Sequence, residues 1–201
     1  NAFIGTAFLT SYVFMFCIMM SGLPAQPVPV TIQNTTVIIG ETKASELLEQ
    51  GFTFEDKGAN SPITNPKNDH FYYGQLLEIK REDQSYGFMT LTPTGKDTDQ
   101  LKNCVITYYR TPKEAHQLQG ISINHVSLAN LKLQDFQTRK LIDIFEVNPA
   151  DYSVAETDSN YILTIQTADY DLWKRYRIEA KFNSDGSIDS YGVRAQHSMW
   201  E

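Results

Sequence analysis

Twenty-two consecutive positions, Ala2 to Leu23, carry no charged side chain. Phe3, Ile4, Phe8, Leu9, Phe14, Phe16 and Ile18 make the run strongly apolar, with only scattered Thr and Ser. As a helix rising about 1.5 Å per residue, such a run covers the ~30 Å hydrocarbon layer of a bilayer. Two readings follow: a retained membrane anchor, or a signal segment ending near Ser21-Gly22-Leu23-Pro24-Ala25 and cleaved after Ala25. The run is long for a signal core, which favours the anchor. A helix buried in a globular core would show one polar face, and this one does not. No Lys or Arg follows until Lys43, so the positive-inside tendency puts the rest of the chain on the non-cytoplasmic side.

The remaining chain belongs to a different class. Gln26 to Val30 reads as a proline-spaced linker. The 201 residues carry a formal charge of −7, which argues against a nucleic-acid partner and against electrostatic docking on anionic lipid. The two cysteines do not form a framework. Cys17 lies in the apolar run, and Cys104 reads as a small buried residue of a strand.

After Val30 the pattern is β-rich. Strands are expected over residues 31–39, 71–81, 86–92, 104–110, 121–128, 161–167, 173–182 and 188–194. Along 173–182, Tyr176, Ile178, Ala180 and Phe182 alternate with Arg175, Arg177, Glu179 and Lys181, as in a sheet with one solvated face. Asp185-Gly186 marks a hairpin. Two short helices are expected, one capped by Thr42 and ended by Gly51, the other capped by Thr138 and stopped by Pro149.

The order strand, capped helix, loop, antiparallel strands occurs twice, with Glu41-Thr42-Lys43 matching Gln137-Thr138-Arg139. The expected fold is α+β. Two similar halves, residues 31–118 and 119–201, each pack a short helix on an antiparallel sheet. They follow an apolar segment over residues 1–25 and the linker 26–30.

Three groups of residues carry a family resemblance: Gly40-Glu41-Thr42-Lys43 with Gly51-Phe52-Thr53-Phe54, Asn103-Cys104-Val105-Ile106, and Phe182-Asn183-Ser184-Asp185-Gly186-Ser187-Ile188. Together they resemble a group of uncharacterised secreted proteins and lipoproteins of Gram-positive bacteria. Its two tandem halves are similar to the small α+β units of outer-membrane assembly lipoproteins and of the β-lactamase inhibitor protein. The resemblance implies an envelope location and no known catalysis. This chain departs from it in having no lipobox cysteine before the β-rich part, and in Phe145-Glu146-Val147-Asn148-Pro149 where the group has Phe-Gly-x-Pro.

Catalytic and metal signatures do not stand out. His70, His116, His125 and His197 lack the spacing of zinc ligands, and no Gly-x-Ser-x-Gly occurs. Asn183, Asp185 and Asp189 could face a calcium ion, but turn chemistry accounts for them. No cofactor is implied. The remaining candidate is aromatic. Tyr72, Tyr73, Tyr86, Tyr108 and Tyr109 fall on adjacent expected strands, and side chains alternate between faces. At least two would then form an exposed binding patch if the sheet is covered on one side only. The expected function is a non-catalytic extracytoplasmic protein, anchored or secreted, that binds another macromolecule or a wall polymer. A spacer domain without a ligand is the alternative, and a hydrolase with an unrecognised site a further one.

Overall fold

A computed structural model of the chain describes residues 2–21, 25–64, 74–95, 97–148, 152–156, 159–165 and 175–196. The N-terminal run is helix α1, Ala2–Ser21, 20 residues without an acidic or basic side chain at either end. The chain then enters the folded part almost at once. Ala25 and Val28 are already buried in its core. The expected linker 26–30 is therefore largely structure, because Val28 and Val30 have core to enter.

The first expected strand is two strands. β1 (Pro29–Ile32) and β2 (Thr35–Ile38) form a hairpin about Gln33, whose φ is +55°. β-Branched content alone did not reveal that polar Gln33-Asn34 reverses the chain. α2 (Ala44–Glu49) follows. Its N-cap is Lys43, not Thr42: the Lys43 N–H donates to Glu46 Oε1 at 2.9 Å, while the Thr42 hydroxyl accepts from the Ile38 N–H at 2.9 Å. Gly51, at φ +83°, ends the helix as expected.

β3 (Thr53–Phe54), β4 (Pro62–Thr64), β5 (Leu76–Arg81), β6 (Gln84–Thr92), β7 (Thr98–Gln100) and β8 (Val105–Arg110) complete the first stretch. Glu82 and Asp83, both at positive φ, make a two-residue turn of the type that matches strand twist between β5 and β6.

The second stretch opens with another hairpin, β9 (Ile121–Ile123) and β10 (Val126–Ser127), turning on Asn124 and His125 at positive φ. α3 (Leu133–Thr138) and α4 (Leu141–Ile144) come next. Thr138 is the last residue of α3 rather than an N-cap, and its hydroxyl donates back to the Gln134 carbonyl at 2.7 Å. α4 stops at a turn through Glu146, φ +54°, ahead of Pro149, which lies outside the described residues. β11 (Tyr152–Glu156), β12 (Asn160–Ile165), β13 (Arg175–Phe182) and β14 (Ile188–Gln196) form a meander.

The fold is α+β with antiparallel sheets. Instead of one sheet for each half, strands of both stretches merge. The large sheet runs β11-β12-β13-β14-β8-β6-β5-β3, and the smaller one β10-β9-β1-β2. Each is joined in the middle by an antiparallel pair, β14 with β8 and β9 with β1. β4 and β7 pair separately. The merger has a physical reason: a four-stranded half would leave the main-chain groups of β8 or β14 unpaired at an edge. Thr111 extends the joint, its N–H donating to the Tyr191 carbonyl and its hydroxyl accepting from the Tyr191 N–H, both at 2.9 Å. One continuous apolar core draws on both sheets and on α2, α3 and α4.

Candidate functional site

The large sheet presents one face to the core and one away from it. β12 and β13 alternate in burial residue by residue, and Tyr176, Ile178, Ala180 and Phe182 point inward as expected. Across the joint, Val193 lies opposite Tyr109, and Arg194 opposite Tyr108. The register therefore sends Tyr109 to the core and Tyr108 to the outer face.

Among the described residues, the candidate tyrosines Tyr86, Tyr108 and Tyr109 do not form an exposed patch. Tyr72 and Tyr73 lie outside the described residues. Tyr109 is fully buried, and its hydroxyl donates to the Tyr86 main-chain oxygen at 2.8 Å. Tyr86 is buried too. It meets Phe52 edge-on, with ring centroids 5.8 Å apart, and the Arg81 guanidinium lies 4.8 Å from the Phe52 ring. Tyr108 does turn outward, as the alternation requires, yet it is only 7% exposed. The Arg194 guanidinium covers its ring at 3.9 Å. Burial, and then the nearby Glu179 carboxylate, push the Tyr108 phenol above its ordinary pKa. Solvated on one side, the sheet was expected to leave aromatic area open. Here arginine side chains lie over it instead, a favourable arrangement of cation on π-face.

The outer face is thus a guanidinium layer. Arg177 on β13 sits directly opposite Arg194 on β14. Glu179 lies opposite Gly192, which in turn pairs with Arg110 on β8. The Arg110 guanidinium lies 4.8 Å from the Phe88 ring. The outward direction of Arg175, Arg177, Glu179 and Lys181 is legible in the alternation of β13. That Arg194 and Arg110 join them is not, because it depends on the pairing of β14 with β8, strands far apart in sequence.

The hairpin between β13 and β14 is a turn built from its own side chains. Asp185 Oδ1 accepts from the Ser187 N–H at 2.9 Å and from its hydroxyl at 2.6 Å, which holds the Asp185 carboxyl below its usual pKa. Asn183 Nδ2 donates to Ser187 Oγ at 2.9 Å. An open recess of about 390 Å³ borders this turn, where Lys113 approaches Asp189 at 3.6 Å. Among the described residues no group of three or more His, Cys, Asp or Glu side chains is placed to hold a metal ion. His116 and His125 are exposed, while His70 and His197 lie outside the described residues.

α1 differs from every other element. Phe8, Leu9, Tyr12, Val13, Phe14, Met15 and Phe16 are each more than half exposed. Its hydroxyls turn back onto its own backbone, Thr10 to the Thr6 carbonyl at 2.9 Å and Ser11 to the Ala7 carbonyl at 2.8 Å. Its side chains are described from residue 5 to residue 17, and among the described residues no helix is long and apolar enough to cross a membrane.

Comparison with protein-family models finds no match. Neither the curated proteins nor the solved structures include a significant one.

Proposed function

We propose that this is a non-catalytic extracytoplasmic protein that presents a β-rich binding domain next to a membrane. The observation that carries the reading is α1: a contiguous apolar surface exposed along the helix, belonging to an uncharged run from Ala2 to Leu23, with Thr10 and Ser11 bonded internally. Apolar area of this extent in water costs about 25 cal/mol for each Å², so a lipid environment is its natural partner. Satisfying hydroxyls within the helix suits that environment. Retention as an anchor is favoured over cleavage after Ala25, because Ala25 is itself buried in the folded core. Only residues 22–24 separate α1 from that core, a span of at most about 14 Å. The domain then lies against the lipid surface.

The reading extends to a tandem of two similar halves. Its support is the strand arrangement: each stretch supplies a hairpin to the small sheet and four strands to the large one, in mirrored order about the two central antiparallel pairs. The partner is another macromolecule or a wall polymer. Protease treatment of intact cells expressing the full chain tests the location. Digestion of the domain before lysis, with a membrane-associated fragment left behind, is the expected result. Protection until lysis overturns it.

A further inference from the structure

The tether between α1 and the folded part is short enough to constrain how the domain stands on a bilayer. Residues 22–24 are all that separate α1 from the buried Ala25, and they reach at most about 14 Å. From Ala25 the chain passes through Gln26-Pro27-Val28 into β1 at Pro29. A residue that precedes proline is held extended, and here both Gln26 and Val28 precede one. The stretch therefore leads away from β1 and not back along it, which puts Ala25 on the Pro29 side of the small sheet. At an extended rise of about 3.2 Å per residue, Ile32 at the other end of β1 is about 22 Å from Ala25.

The Pro29 end of the small sheet is built from turns. Pro29 stands opposite Ile38, and its carbonyl accepts from the Asn124 N–H at 2.9 Å. Asn124 Nδ2 donates to the Phe145 carbonyl at 2.6 Å. Glu41, His125 and Glu146 are exposed on these turns. At the opposite end the Gln33 N–H donates to the Gly120 carbonyl at 2.7 Å, and Asn34 is exposed. We propose that the Pro29 end is a docking surface for the headgroups of zwitterionic phospholipids, and that the Gln33-Asn34 turn points away from the bilayer. The proposal rests on the reading of α1 as an anchor. Tether length selects the end. Standing the domain on the Gln33-Asn34 turn would raise Ala25 about 22 Å above the lipid, beyond the ~14 Å that residues 22–24 reach. Charge selects the headgroup. Glu41 and Glu146 bring carboxylates to this end of a molecule that carries −7. Anionic lipid repels them, whereas the outer ammonium of a zwitterionic headgroup attracts them.

Fluorescence quenching on the full chain in phosphatidylcholine vesicles tests the proposal. In a C17S background, E41C and N34C each offer one surface thiol to an environment-sensitive dye, while Cys104 is buried and stays unlabelled. A lipid spin-labelled at its headgroup should quench the dye at position 41 several-fold more strongly than at position 34. H125C, on the neighbouring turn, replaces E41C if that variant lowers the unfolding midpoint. Exchanging phosphatidylcholine for phosphatidylglycerol at low salt should narrow the difference between the two ends. Equal quenching at both positions, or stronger quenching at 34, overturns the proposal. A difference that widens with phosphatidylglycerol overturns the choice of headgroup. The outcome is separable from that of the anchor: a chain that does not float with the vesicles refutes α1 as an anchor and the docking surface with it. A chain that floats and is quenched equally at both ends refutes the docking surface alone.

Discussion

Tyr109 and Tyr86, on neighbouring strands of the large sheet, are tied by a buried hydrogen bond in which the Tyr109 hydroxyl donates to the Tyr86 main-chain oxygen at 2.8 Å. The bond closes off the interior end of a side chain that has no access to solvent. Tyr109→Phe removes the donor and leaves a buried acceptor short of a partner, so it should cost about 1–2 kcal/mol in denaturant unfolding. Tyr191→Phe is the control. The Tyr191 hydroxyl is equally buried and has no hydrogen-bond partner among the described residues. Its removal should be neutral or slightly stabilising. Equal losses in both variants would mean that ring packing, and not the hydrogen bond, sets the effect.

Gly87 lies where β6 approaches the main chain of Arg110 on its neighbour β8. Its φ of +110° lies where side chains are rarely tolerated, and a β-carbon there would run into the main-chain oxygen of Arg110. Gly87→Ala should therefore lose about 3 kcal/mol or more, or prevent accumulation of folded protein. Gly95→Ala, also at positive φ but with open space around it, should cost about 1 kcal/mol. A Gly87→Ala protein with the wild-type unfolding midpoint would contradict this account of the β6–β8 contact.

Alkaline pH should weaken the fold. Burial pushes the Cys104 thiol from an ordinary 9.0 up to about 11, with the Asp99 carboxylate adding to the shift. Burial likewise raises the Tyr109 and Tyr191 phenols. These groups are neutral when protonated, so above about pH 9 the unfolded chain loses protons that the folded chain keeps. Unfolding then releases protons, and stability falls as pH rises. The denaturant midpoint should decline between about pH 8 and about pH 10.5, and Cys104→Ala should flatten the first part of the slope. A midpoint constant over that interval would rule out the raised thiol.

Much of the local architecture can be read along the chain. The uncharged run Ala2 to Leu23 contains α1, whose backbone groups are paired along the helix itself. The alternation along β12 and β13 gives both their existence and their faces, because a period of two is a property of the extended chain itself. Asp185-Gly186 fixes the last hairpin for the same local reason. The hairpins at Gln33 and at Asn124-His125 are harder to see: their non-glycine turn residues adopt positive φ under the constraint of the paired strands.

What only the tertiary structure decided is which strands meet. The pairing of β8 with β14 joins residues more than eighty positions apart, and no local pattern encodes it. That pairing sends Tyr109 inward, sets Arg194 over Tyr108, and brings Arg110 beside the charged side of β13. The sequence determined that one tyrosine of the Tyr108-Tyr109 pair must leave the core. Whether it would be open or covered depended on a guanidinium from a distant strand, because exposure is set by neighbours in space and not by neighbours in the chain.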